Sequence, residues 1–347
     1  MACALHCHPR KPGGFSLVEI LVSVAIGMFA VAIMMQQLSV FETNKRTTTG
    51  GADAQNNGVI ALLGLQRDIR QSGYDITSAS MFTCNAALQS GGTIPVRPLI
   101  INPATTVIPA GDLNTDTLLV MYGNSNGQPQ GNGIDSQSVG VSSNVKSPTM
   151  FAVGDIVMAV PAACGANLLP RPVTAVAAPT ITAATGAGET LYNLGSAPSI
   201  LAYAVRNGNL TVCNYMTTNC GLASGSVSAT VWAAMWVPIA NNIVSMRAQY
   251  GVDTNTPMDG AVDAFNQTTP ATSCGWAKVS AVRLALVARN SQINQTAVTL
   301  APLTWDGSAG APIDLTANSE WGNYRYRVFQ TVVPMRNLAW LGLTTGC

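Results

Sequence analysis

The sequence predicts an α+β protein in which one long N-terminal helix packs on a large antiparallel β-rich globular head. Three observations predict it. An apolar run occupies Phe15 to Met35. A helical apolar period then continues to Ile69, and from Gly73 onward strand-like runs alternate with turn signals. Composition agrees. Of 347 residues, 48% are hydrophobic but only 10% are charged, against a usual ~25%. A formal charge of +1 excludes a polybasic nucleic-acid surface and an acidic tail, and no direct nucleic-acid partner is expected. The apolar content suffices for a large core and excludes disorder. The polar surface must come from Thr, Asn, Ser, Gln and Gly, which suggests an exported β-rich protein.

The first element is the N-terminal helix. Arg10 and Lys11 precede Pro12, Gly13 and Gly14, and the apolar run that follows contains one charge, Glu19. A secretory signal places its apolar stretch before the cleavage point. Here a cut after Gly14 falls before that stretch, so the apolar segment is retained. About twenty helical residues cross a bilayer, so Phe15 to about Leu38 can span. The flanking Arg10 and Lys11 keep the N-terminus in the cytoplasm and leave the rest exported.

At Gly14-Phe15-Ser16-Leu17-Val18-Glu19 the chain resembles the type IV pilin family. The resemblance implies cleavage between Gly14 and Phe15 by a prepilin peptidase, an aspartic membrane protease, and N-methylation of Phe15. It also implies that Glu19 serves assembly, paired with the free amine of Phe15 on its own or a neighbouring subunit. The leader, residues 1–14, is fairly long for the family. It carries Cys3, His6, Cys7 and His8, a cluster read as incidental rather than metal-binding.

Without the leader, 333 residues remain, with net charge −1 and no histidine. That excludes Ser-His-Asp and Cys-His catalysis and His-ligated zinc. There is no phosphate-binding glycine motif, and nothing assembles an active site, so no enzyme and no cofactor are expected. Six cysteines stay: Cys84, Cys164, Cys213, Cys220, Cys274 and Cys347. In an exported head they read as three disulfides. Six cysteines allow fifteen connectivities. Proximity favours Cys213 with Cys220; Cys84 with Cys164 and Cys274 with Cys347 are one completion among those open.

Helical spacing continues through Val59, Leu62, Leu65 and Ile69, with Arg67, Asp68 and Arg70 as the polar face. Thr47-Thr48-Thr49-Gly50-Gly51 is a weak-helix patch, and Gly73 reads as the stop. The expectation is one helix over 15–72, interrupted or bent near Gly50, its second half packed on a head spanning 73–347. In that head, strands are expected at 117–122, 156–160, 201–205, 210–212, 243–251, 279–288 and 324–333. Asn207-Gly208 marks a hairpin. The connection from Gly123 through Gly133 reads as polar loop, and 173–198 as irregular decoration.

One loop invites a cation. Asp253, Asn255, Asp259 and Asp263 place four oxygen-bearing side chains close together, and hard Ca²⁺ prefers such ligands. The spacing departs from an EF-hand and no closing Glu follows. A plain turn with Asx bonds to its own backbone competes and is favoured.

Several head segments resemble PilW-type minor pilins. They are Arg70-Gln71-Ser72-Gly73-Tyr74, Thr115 to Val120, Asn242 to Asp253, Val282 to Arg289 and Arg327 to Asn337. The resemblance implies a minor pilin in a tip or priming complex that initiates pilus assembly. Its implied partners are prepilin peptidase, other minor pilins, the major pilin and a tip adhesin. The chain is expected first as a single-pass inner-membrane protein, then in an extracellular pilus near its tip. A GspJ-like type II secretion pseudopilin and an exported enzyme with a pilin-like anchor are the alternatives. The 275-residue head counts against the former and the missing histidines against the latter.

Overall fold

A computed structural model describes residues 14–338. The chain clusters into two compact units, Met1–Gly50 and Gly51–Cys347. Helix α1 (Leu17–Gln71) is helical throughout its 55 residues. The expected interruption near Gly50 is absent, although the unit boundary falls there. Weak formers cost only about 0.5–1 kcal/mol each in a helix, too little to break a ladder of this length. The hydroxyl of Thr48 also donates back to the Asn44 carbonyl at 2.9 Å. The stop at Gly73 is as expected: it takes φ +82°, the left-handed exit that glycine tolerates best.

Within the second unit, α1 buries Ala54, Gly58, Ala61, Leu65, Asp68, Ile69 and Ser72, a stripe that recurs every three or four residues. Val59, expected on that face, is 39% exposed. Small residues set the contact over 54–61, and Leu65 and Ile69 set it further along. Gly58 faces the Phe329 ring, which occupies the place a Cβ would take.

Every strand ladder among the described residues is antiparallel. A central sheet runs Val237–Ala240, Asn209–Asn214, Ser199–Arg206, Leu118–Tyr122, Leu99–Ile101. A C-terminal sheet runs Ala264–Asn266, Ile243–Val252, Val279–Arg289, Tyr326–Pro334. Their inner faces and the buried stripe of α1 share one core, with Leu65, Ile69, Leu119, Ala202, Met246 and Leu284 in it. Each fully buried aliphatic there contributes about 1.5–3 kcal/mol. Asn207 and Gly208 both take positive φ, 52° and 69°, as a two-residue hairpin turn requires.

The segment between Leu118–Tyr122 and Ser199–Arg206 differs most from expectation. The expected strand at Ile156–Val160 is present, but the stretches read as polar loop and decoration fold with it into a seven-stranded sheet. Its order is Arg171–Pro172, Ile156–Val160, Thr190–Asn193, Asn132–Ser138, Ser142–Val145, Thr180–Thr182, Ala175–Ala177. The two outermost strands are consecutive in the chain, joined only by Val173 and Thr174. The sheet therefore curls back on itself, around Val145, Phe151, Val157, Ile181 and Leu191. It leaves and rejoins the central sheet at one place, because Tyr122 and Ser199 are directly opposed partners.

Candidate assembly segment and head frame

In the first unit, Gly14 precedes the helix, and among the described residues nothing lies within 4 Å of where its Cβ would sit. Its peptide is thus open to a protease cleft that needs close backbone approach. Phe15 is 79% exposed. Glu19 lies in the first turn of α1, and its carbonyl accepts the Ser23 hydroxyl at 2.7 Å. Leu17–Glu42 forms an apolar helical stretch of 26 residues with mean hydropathy 2.5 and no side chain packed inside the molecule. At ~1.5 Å per residue it exceeds the ~30 Å of a bilayer core.

In the second unit, the five segments that resemble PilW-type pilins meet as one frame. Gly73 N–H donates to the Met121 carbonyl at 2.9 Å, joining the end of α1 to the central sheet. Asn337, from the last segment, donates its side-chain N–H to the carbonyls of Gln71 and Ser72 at 3.0 and 3.2 Å. These are terminal carbonyls that α1 cannot satisfy internally. The other segments pair as strands: Val279–Arg289 lies between Ile243–Val252 and Tyr326–Pro334.

Asp116 joins the two sheets. Its Oδ1 accepts from Arg247 Nη1 at 2.8 Å and Asn102 Nδ2 at 2.9 Å. Its Oδ2 accepts from the Ala248 N–H at 2.8 Å and Gln267 Nε2 at 2.7 Å. Burial pushes its carboxyl above the usual range, against the pull of Asn102, Arg247, Ala248 and Gln267. Asp68, placed by its sequence context on the polar face of the helix, is 2% exposed. It accepts from Tyr122 Oη at 3.1 Å, from Tyr203 Oη, and from Arg67 Nε at 3.0 Å. Burial and the adjacent Asp68 push the Tyr203 phenol up, so it stays a donor. No sequence signal marked Asp68: its tyrosine partners are 54 and 135 residues away. Asp75, also buried and at φ +63°, accepts both the N–H and the hydroxyl of Ser125 at 2.8 Å. Burial pushes its carboxyl up to about 6, although both Ser125 bonds oppose this.

Two expected disulfides are present, Cys84–Cys164 and Cys213–Cys220, with Cα separations of 5.3 and 5.9 Å. The first staples the seven-stranded sheet to the segment after α1. Cys274 is disulfide-bonded, while Cys347 lies outside the described residues, as do leader residues 1–13. The Asp253 loop has the geometry of the turn reading. Asp253 accepts the N–H groups of Asn255, Asp259 and Gly260 at 2.7–2.9 Å. Asp259 accepts from the Ala261 N–H and Asn255 Nδ2, and Asp263 from the Thr254 N–H. Burial raises the Asp253 carboxyl, but those three N–H groups and Lys278 outweigh it and hold it below the usual range. Among the described residues, no three His, Cys, Asp or Glu side chains group to hold a metal ion.

Residues 202–337 match the family model described as Type IV Pilus-assembly protein W, PilW. Residues 9–35 match the prokaryotic N-terminal methylation motif. A type IV-like pilin from Thermus thermophilus is similar over 82% of this chain and 97% of its own, at 12% identity and a TM-score of 0.34. No curated protein matches the chain. The PilW match includes the whole C-terminal sheet, and the methylation motif runs into the apolar stretch of α1. The methylation motif overlaps the apolar stretch of α1 and the PilW match spans the C-terminal half of the head, so over these residues the chain is similar to PilW-type type IV pilins.

Proposed function

We propose that this chain is a PilW-like type IV pilin, a low-copy, tip-proximal minor pilin that helps start the fibre. One observation carries the reading: a curled seven-stranded sheet is inserted between two paired strands of the head. A pilin contact is head-to-tail and propagates, so a shaft subunit must fit its whole head between neighbours at every repeat. A terminal subunit has one free side. The PilW match favours a pilus over a secretion pseudopilus. Edge strands such as Val237–Ala240 offer backbone groups to other minor pilins. Prepilin peptidase cuts between Gly14 and Phe15, Phe15 is methylated, and Glu19 pairs with a Phe15 amine.

Immunogold labelling with an antibody to the head tests the position. Gold is expected at fibre ends, and deletion of the gene is expected to reduce pilus number. Uniform labelling along the shaft, or normal pilus number after deletion, overturns the tip reading. Mass spectrometry of the mature chain is expected to show an N-terminal methyl-Phe15.

A further inference from the structure

At one end of the C-terminal sheet lies a cavity of about 520 Å³, where Val244, Arg289 and Tyr326 meet the Asn207-Gly208 hairpin and the 314–318 segment. It borders an apolar notch of about 230 Å³ through the shared residues Asp314 and Leu315. Leu303, Pro312, Ile313 and Trp321 line the notch. The cavity is within the size range of small-molecule sites.

Its polar groups are unevenly satisfied. Three arginines of the head lie over aromatic rings: Arg206 over Trp232 and Trp236, Arg283 over Phe265, Arg289 over Tyr324. Arg206 also donates to the carbonyls of Ala110 and Pro109, and Arg283 to that of Asp306. The Nε of all three is buried without a partner, but only the Arg289 guanidinium also has no such acceptor among the described residues. An arginine held in place by a ring, with five N–H donors and no acceptor, expects its acceptors from outside. The cavity's carboxylates are the reverse case. Asp112 accepts the Asn207 and Gly208 N–H groups at 2.9 and 2.7 Å. Asp314 accepts from Asn114 Nδ2 at 3.0 Å and from Thr316. Both Asp112 oxygens and Asp314 Oδ2 accept one bond each and keep a lone pair to spare.

The ligand must therefore accept from Arg289 and donate to Asp112 and Asp314. Hydroxyl groups do both. An anion satisfies Arg289 but meets two carboxylates, and a cation meets an unpaired guanidinium. We propose that this cavity binds a neutral saccharide, its hydroxyls on Arg289, Asp112 and Asp314, and an apolar sugar face or substituent in the Trp321 notch. The proposal is independent of where the subunit sits in the fibre, because the site belongs to a single chain.

The test uses the full chain in a zwitterionic detergent without a sugar head group. Lactose, cellobiose, maltose and N,N′-diacetylchitobiose serve as neutral probes, and glucuronate and inorganic phosphate as anionic ones. Titration calorimetry is expected to find saturable binding of at least one neutral probe. Arg289→Gln is expected to weaken it about tenfold or more, as loss of a charged donor does, while Arg283→Gln, on the same strand and outside the cavity, leaves it unchanged. If Arg289→Gln fails to fold, Leu113→Trp decides, since Leu113 is a 75% exposed rim residue and a bulky ring there blocks access. No saturable binding of any neutral probe, binding of anions alone, or unchanged affinity in the deciding variant overturns the proposal.

Discussion

Two buried carboxylates set the residue-scale behaviour of the head. Asp116 and Arg247 are 3% and 13% exposed at their side chains. Removing one member of a buried pair leaves the other charge uncompensated, at a cost of about 3–5 kcal/mol. Asp116→Ala is therefore expected to lower stability by about that amount in urea unfolding of the full chain, with Asp116→Asn milder because it keeps part of the hydrogen-bond set. Asp75 has a different signature. Its carboxyl titrates at about 6 in the fold, against ~3.9 unfolded, so the native state binds the extra proton between those values. Its contribution to stability is fully present below about 4 and is lost as pH rises through about 6. Unfolding midpoints measured across that window are expected to fall with rising pH from this group, and Asp75→Asn is expected to flatten that part of the slope. An unchanged slope in the variant contradicts the assignment.

Among elements, α1 and the hairpin were legible because their signals are local. A three-four period, a glycine stop and an Asn-Gly turn depend on neighbours a few residues apart. On the expected face of α1, Leu65 and Ile69 are buried and Leu62 packs against the core, and only Val59 departs, because Ala54, Gly58 and Ala61 make the contact in that stretch. Close helix–sheet approach favours small side chains, and a hydrophobicity period does not register them. Gly58→Leu tests this. A non-glycine residue gains about 1 kcal/mol in helix propensity, but the added side chain must displace the Phe329 ring, and overpacking costs about 1–3 kcal/mol. A net loss of stability is expected, and Gly58→Leu with Phe329→Ala is expected to recover part of it. Of the seven-stranded sheet only Ile156–Val160 is legible in the sequence, and the rest is hidden for another reason. Its strands are two to seven residues long, and Asn132–Ser138 is largely polar and exposed. Such segments become strands because neighbours pair with them, a tertiary cause that single-sequence propensity cannot carry.

At the scale of the whole molecule, the proposed function asks one chain to serve first as a membrane protein and then as a fibre subunit. Glu19 is where those demands collide. A carboxylate at a helix centre in lipid costs about 2.5–3.5 kcal/mol on insertion scales, and less near an end. Between Phe15 and Phe41 it is the sole charge, so a helix that needed only an anchor would be better without it. Under the proposed function, an amine freed by cleavage at Phe15 would give the carboxylate a partner, and a partner on the neighbouring subunit would tie membrane exit to assembly. Processing and incorporation should then separate by mutation. Gly14→Val is expected to block cleavage, because a branched side chain obstructs the close backbone approach that Gly14 leaves open. Glu19→Ala is expected to be cleaved and methylated normally, to remain in the membrane fraction, and to be depleted from sheared fibres on immunoblotting. Wild-type levels of the Glu19→Ala chain in those fibres would remove the pairing and leave Glu19 as a residue that only reaches the headgroups.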